Sequence, residues 1–424
     1  MTSHYDKLVY VDGFIVTRLQ TANWDQEITD EDIEEMGNSG IVETIIDPVI
    51  PVTVTMNTND WGATDFMAQI MGSEADVDSG SAYNTAAADQ NSWIVNSSDM
   101  KVQKVDVTAR IRSGVTGKQD RTVWIPNCGI TSLNWSYSVD GNASENVTLR
   151  GDTDRHFIGE FRDANVEIGA YATSSTFTIT STVTTHTVLY ISINNTIYDD
   201  TNFTFATSTV TVIGDLATTL VDGDRFRAFI YKTTASDTFT ELDTSDVGAI
   251  KSPYVVIGLG DADQIAALEK TLRLQSVDVT ASVTREDIKE IGTEDLVNSS
   301  MAKHEVVVDA TVLEDSLENF AYMLGVTPSE WTNRDTVGVE MRLQDSIGNL
   351  QELYVQVYDD STQAELLKTL HCTSLRLTSS PFSHDVGGQG QYSLSFKCDN
   401  WSWAGEGVSG NRLANAYPNL WIET

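Results

Sequence analysis

The residues of this 424-residue chain that could do chemistry are six histidines, three cysteines and 62 carboxylates. The histidines (His4, His156, His186, His304, His371, His384) stand apart, with no HExxH or CxxC pattern to hold a metal. Ile257-Gly258-Leu259-Gly260 has part of a dinucleotide loop, without the third glycine or the βαβ setting that seats a pyrophosphate. No Walker loop or GxSxG elbow occurs. Asp359-Asp360 offers oxygen ligands of the kind Ca²⁺ or Mg²⁺ takes, but without EF-hand spacing. Any two of so many carboxylates could be paired on paper, and they read as a solvated acidic face. Cys128, Cys372 and Cys398 make no disulfide framework and read as small buried hydrophobes. Sequons at Asn146 and Asn202 are expected by chance in a Thr-rich chain. The expectation is a non-enzyme with no metal and no cofactor.

The same carboxylates dominate the charge. Against 26 basic residues they give a net charge of −36 and a pI near 4.2. That argues against a nucleic-acid reader, whose affinity rests on Lys and Arg neutralising phosphates, and against docking on anionic membranes. Lysine occurs at only 11 positions, and Asp, Thr and Ser are abundant. Such a composition suits molar salt, where charges are screened within about 3 Å. The first residues, MTSHYDKLVYVDGF, have no signal-peptide core, and no run approaches the ~18 apolar residues of a membrane span. Synthesis in the cytoplasm, without an export signal, is expected. With 40% hydrophobic residues the chain can bury sizeable cores.

What positions these residues is a repeat. VTRLQTANWDQEITDEDIEEMGNSGIV, from Val16, matches TLRLQSVDVTASVTREDIKEIGTEDLV, from Thr271, at an ungapped offset of 255 (271 − 16). Arg18, Leu19, Gln20, Thr29, Glu31, Asp32, Ile33, Glu35, Gly37 and Val42 recur as Arg273, Leu274, Gln275, Thr284, Glu286, Asp287, Ile288, Glu290, Gly292 and Val297. Weaker similarity continues, FMAQIMG (66–72) with FAYMLG (320–325), and NCGITSLNW (127–135) with HCTSLRL (371–377). The latter alignment makes Cys128 and Cys372 equivalent. Both stretches close on alternating strands, ENVTLRGD and QYSLSFKCD. The chain thus reads as domain copies at 1–152 and 253–399, an inserted module at 165–250 and a C-terminal arm at 400–424.

Within each copy, Thr29 or Thr284 with its acidic residue at N3 makes a capping box, and Gly37 or Gly292 a left-handed stop. This predicts a two-turn helix carrying Asp32, Ile33 and Glu35, or Asp287, Ile288 and Glu290. Strands follow at 46–57 and 303–313, then an amphipathic helix near 60–71 and 315–324 that flanks a sheet. The insert reads as a small β-sandwich, with strands at TFTIT, TVLYISI, NFTFA, TVTVI and RFRAFIYKT and turns at Asn194-Asn195 and Asp222-Gly223. Residues 73–100 read as a long polar loop. Trp401, Trp403, Tyr417 and Trp421, on a polar background, read as anchors for a neighbouring subunit. The fold class is mainly β: sandwich or barrel-forming sheets with a flanking α-helix per copy, plus an Ig-like insert.

The EDIxExG stretch (Glu31–Gly37, Glu286–Gly292), with the β-branched strand and short helix after it, resembles major tail tube proteins of long-tailed viruses. The 188–231 region looks like the small Ig-like modules that decorate virion proteins. The resemblance covers about two-thirds of the chain. It implies a virion tail protein, made in the host cytoplasm, whose stacked rings form an acidic conduit for transient, non-specific passage of double-stranded DNA. The salt-type composition would fit a virus of a halophilic archaeon. Its partners would be itself and other tail proteins (tape measure, terminator, baseplate), with no membrane. Family members have one such domain per chain and commonly form rings of six; two copies here imply trimeric, pseudo-hexameric rings. The alternative is an adhesin-like or other β-rich virion or surface structural protein, which explains the strands and insert but not the duplication.

Overall fold

In the computed structural model, the described residues are 5–16, 19–26, 30–34, 41–46, 51–59, 94–96, 104–113, 121–139, 141, 143–152, 154–158, 165–170, 176–178, 186–198, 200–206, 209–221, 224–232, 255–260, 274–288, 298–313, 321, 326, 330, 332–338, 351–358, 366–384, 390–398 and 400–405. They are mainly β, as the alternating Val, Thr and Ile runs predict. The first half supplies β1 (Tyr5–Val11), β2 (Phe14–Ile15), β3 (Leu19–Gln26), β4 (Asp30–Glu34), β5 (Ile41–Ile46), β6 (Val52–Thr58), β7 (Ile94–Asn96), β8 (Lys104–Ser113), β9 (Arg121–Ser138), β10 (Ser144–Gly151) and β11 (Arg155–Ile158). The insert supplies β12 (Asn165–Ala170), β13 (Thr176–Thr178), β14 (His186–Ile193), β15 (Thr196–Tyr198), β16 (Phe203–Ala206), β17 (Thr209–Val212), α1 (Leu216–Thr219) and β18 (Arg225–Lys232). The second half supplies β19 (Val255–Gly260), β20 (Leu274–Ile288), β21 (Asn298–Leu313), α2 (Arg334–Val337), β22 (Gln351–Tyr358), β23 (Leu366–Ser379), β24 (Phe382–His384), β25 (Gly390–Cys398) and β26 (Asn400–Gly405).

Each half is built around one long strand that serves two sheets. The N-terminal part of β9 pairs with β8 and β11, and β8 with β1; its C-terminal part pairs with β10, which continues through β6 to β3. The second half repeats the pattern. β23 pairs first with β22 and β26, and β22 with β19; it then pairs with β25, which continues through β21 to β20. Alternation along β6, β10 and β25 buries every second side chain. Val54, Leu149, Leu133, Trp135, Val279, Val308 and Phe396 enter one continuous core, which Leu353, Val355, Leu370 and Trp401 complete.

Two expectations change. The capping-box helix is absent: Asp32 and Ile33 lie on strand β4, and Thr284, Asp287 and Ile288 on strand β20. Cross-strand pairing with β5 and β21 overrides a local signal that any Thr-x-x-Asp carries. Thr29, Glu35, Gly37, Glu290 and Gly292 lie outside the described residues. The C-terminal arm does not begin at 400, because β26 lies in the sheet. Of the flanking helices, 60–71 lies outside the described residues and 315–324 is described only at Ala321, which is helical and fully buried.

The insert folds as two layers, β12-β18-β14-β15 and β13-β17-β16. Ile191, Ile193, Phe226, Ala228 and Ile230 of the first meet Phe203, Val210 and Val212 of the second. All five strands read from the sequence are present, with β12 and β15 in addition. Asn194 and Asn195, at φ 48° and 70°, make the tight turn between β14 and β15. Asp222-Gly223 lies outside the described residues.

Candidate assembly surface

The correspondence between the halves extends to their irregularities. β9 is interrupted at Asn127 and β23 at Ser374, both left-handed (φ 54° and 58°). At these points the register steps from Cys128↔Val105 to Ile125↔Val107, and from Leu375↔Gln351 to Cys372↔Leu353. A second bulge skips Thr131 and Thr378, whose hydroxyls donate to the carbonyls of Thr148 (3.0 Å) and Ser395 (2.9 Å). These anchors put β9 and β23 in correspondence at an offset of 247 (374 − 127, 378 − 131). Cys128 therefore matches Leu375, and Cys372 matches Ile125; the two cysteines are not equivalent. In the hairpins, Asp30↔Ile46 and Arg285↔Met301 share the sequence offset of 255 (285 − 30, 301 − 46).

The halves join edge to edge. Ser276–Ser282 of β20 pairs antiparallel with Ser132–Ser138 of β9, making one sheet in the order β3-β6-β10-β9-β20-β21-β25-β23. The seam buries Val277, Val279 and Ala281 beside Leu133, Trp135 and Tyr137. The Asn134 amide donates to Thr280 Oγ1 (2.9 Å), Val139 N–H to the Gln275 carbonyl (3.0 Å), and Arg285 Nε to the Ile130 carbonyl (2.7 Å). The Arg285 guanidinium fills the space over Gly129, where an added Cβ would come within 2.7 Å of Cζ.

The solvent face of this sheet is lined by Ser, Thr and Asn, with both signs of charge. Asp25, Asp278, Glu305 and Asp309 share it with Arg150, Arg285, Lys303, Arg376 and Lys397. Lys303 and Lys397 close on Glu305 at 2.8 and 2.7 Å and hold its carboxyl down at about 2.

The edges of the joined sheet differ from the seam. Among the described residues β3 pairs only with β6, and β24 only with β25. On β3, Ala22, Trp24 and Gln26 are half-buried, whereas their counterparts Val277, Val279 and Ala281 are buried. Phe382, at the offset-247 counterpart of Trp135, is 54% exposed where Trp135 is 1% exposed.

The proposed subunit anchors divide. Trp401 is buried, edge-on to Trp135 of the other half (5.2 Å), with its Nε1 toward His304 Nε2 (3.4 Å); it clasps the halves and forms no exposed arm. Trp403 lies on β26 opposite Val95 of β7, a strand within the stretch read as loop. Tyr417 and Trp421 lie outside the described residues.

A buried ionic cluster, which sequence reading missed, docks the insert. Asp12 and Gly13 (φ 47° and 86°) form the turn between β1 and β2. Arg227 of β18 reaches Asp12 (3.1 Å) and Asp106 (3.6 Å), and donates to the Lys104 carbonyl. Asp106 also accepts from Trp124 Nε1 (3.1 Å) and Asn127 N–H (3.0 Å), and its own N–H donates to Asp12 (2.7 Å). Burial raises the Asp106 carboxyl above its ordinary range; Arg227 opposes the shift and Asp12 adds to it. Burial works against the Arg227 charge, but Asp12 and Asp106 outweigh it and hold the guanidinium protonated. Beside the cluster, Trp124 stacks on Phe229 (4.5 Å) and Tyr190 (5.1 Å), with Arg155 over both Trp124 and Tyr190. Every charge in the cluster has a partner across the joint, so it acts as a lock. Among the described residues no group of His, Cys, Asp or Glu could hold a metal, and no helix is long and apolar enough to cross a membrane.

Compared with protein-family models and with curated proteins, the sequence matches none.

Proposed function

We propose that the chain is a virion structural protein, a doubled tail-tube subunit that closes into rings and stacks into a conduit for double-stranded DNA. Its halves are two copies of one domain, and the insert is an Ig-like module. The observation that carries this reading is the seam. β9 and β20 join the halves edge to edge, and the outer edges, β24 and β3, are the counterparts of the two already joined. A sheet that pairs this way continues from chain to chain and ends by closing on itself. Three chains would supply six domains, in a ring of 3 × 46.5 = 139.5 kDa.

The insert docks on the sheet that contains β1, β8 and β11, away from the polar face of the joined sheet, which suits a decoration outside the ring. The polar face suits the channel wall. Its hydroxyls and amides offer no fixed charge to phosphates, Asp25, Asp278 and Asp309 stand against its three arginines, and its two lysines are held by Glu305. The net charge of −36 keeps a crowded assembly soluble in high salt. Electron microscopy of the purified protein in molar KCl is the test. Rings or tubes with a central channel are expected, and monomers at every concentration would overturn the reading. A reconstruction with six chains per ring would end the trimer.

A further inference from the structure

We propose that the contact between chains is a copy of the internal seam, with β24 of one chain added to β3 of a second copy in a fixed register. This rests on the ring-forming reading above and names the surface that makes the ring. The register follows from the two offsets. Within the chain Trp135 pairs with Val279, Ser136 with Asp278 and Tyr137 with Val277. Subtracting 255 from the β20 numbers and adding 247 to those of β9 gives Phe382 opposite Trp24, Ser383 opposite Asn23 and His384 opposite Ala22.

Three observations favour a second copy as the occupant. The exposed Phe382 ring, tilted on Tyr392 at 4.7 Å, and the half-buried Trp24 would bury each other as Trp135 and Val279 do. Pro381 suits this edge: its carbonyl accepts from Ser393 of β25 (3.1 Å), so its missing N–H faces β25. The polar backbone groups of Phe382 and His384 then point away from β25, toward an incoming strand. The third is charge. At the seam Arg285 lies over Gly129. The counterparts by offset are Asp30, on the separate β4–β5 hairpin and in register with Ile46 as Arg285 is with Met301, and the exposed Arg376 of β23. The cation has moved to the other strand and an acidic residue stands in its former place. Continued through the hairpin, the register that sets Phe382 opposite Trp24 sets position 30 against position 376 (24 + 382 = 30 + 376), with opposite signs head to tail. The pattern selects a directional contact, the kind that closes into a ring.

The test uses the full chain in molar KCl, reading assembly by light scattering and electron microscopy and folding by near-ultraviolet circular dichroism. Phe382→Lys, Asp30→Arg and Arg376→Asp are each expected to raise the concentration for half-assembly by about tenfold or more. The double variant Asp30→Arg/Arg376→Asp is expected to recover most of that loss, which no folding defect in a single variant would mimic. If the wild type assembles, and the three variants assemble equally well or the double variant shows no recovery, the inference fails while the ring-forming reading stands. A wild type that never assembles would remove both.

Discussion

Removing Arg227 tests the docking of the insert most sharply. Its side chain is 3% exposed, and those of Asp12 and Asp106 are 0% and 2% exposed. At an effective dielectric near 20, each contact is worth about 5 kcal/mol of Coulomb attraction, most of it offset by the cost of taking three charges out of water. Removing one partner leaves that cost standing, so Arg227→Ala should destabilise by about 3–5 kcal/mol. Denaturant titration in molar KCl, followed by tryptophan fluorescence with Trp124→Phe as the control that isolates the joint, measures this directly. The pH dependence has a definite sign. A carboxyl whose folded-state pKa is raised binds its proton more tightly folded than unfolded. Its favourable contribution is therefore present below the ordinary carboxylate range and lost as pH rises through the raised value. The deficit of Arg227→Ala relative to wild type should narrow as pH falls and Asp106 protonates. Replacing the whole cluster, as Asp12→Asn/Asp106→Asn/Arg227→Met, should recover most of the loss. A deficit below about 1 kcal/mol, the worth of a surface pair, and unchanged with pH would refute the reasoning.

Gly13→Ala should detach the insert while leaving the first half folded, because a Cβ there would lie 2.2 Å from the Val166 carbonyl; faster proteolysis within 165–232 is the readout. The Glu305 carboxyl should titrate near 2 by NMR, with its stabilisation present above the ordinary value of 4.5 and lost as pH falls toward 2; Lys397→Met should move the midpoint up. Dialysis from molar KCl to about 0.05 M salt, where screening reaches beyond 10 Å, should dissolve assemblies, and an unchanged particle mass would end the salt-adapted reading.

Strand content was legible because apolar residues alternate through Val52–Val54–Met56, Val147–Leu149 and Tyr392–Leu394–Phe396–Cys398, a period that specifies a half-buried strand. The correspondence of the halves was legible only where it is ungapped. Beyond the hairpins, a shared cysteine drew the alignment to an offset of 244 (372 − 128), whereas Asn127 with Ser374 and Thr131 with Thr378 fix 247. Those anchors are backbone events, and only small polar residues mark them. The EDI motif misled in another way: DEDIE has one apolar residue, Ile33, and no strand period of its own, and hairpin pairing with the β-branched β5 decides in favour of the strand. Trp401 and Trp403, two apart on a strand, carried a period-2 signal that a Gly- and Asn-rich background obscured. Arg227 gave no sign at all, since its partners lie 215 and 121 positions away (227 − 12, 227 − 106).

The pairing of β7 with β26 sets a timetable for the newborn protein. Ile94–Asn96 leaves the ribosome about 300 residues before its partner strand, a wait of about 15–60 s at 5–20 residues per second. The β9 edge waits in turn for β20, roughly half as long. Throughout that interval the first half is an unfinished template, open to the nascent chain of a neighbouring ribosome on the same message. Its own β20, tethered at a high local concentration, has the advantage once it emerges. The chain that is released therefore already holds its first seam.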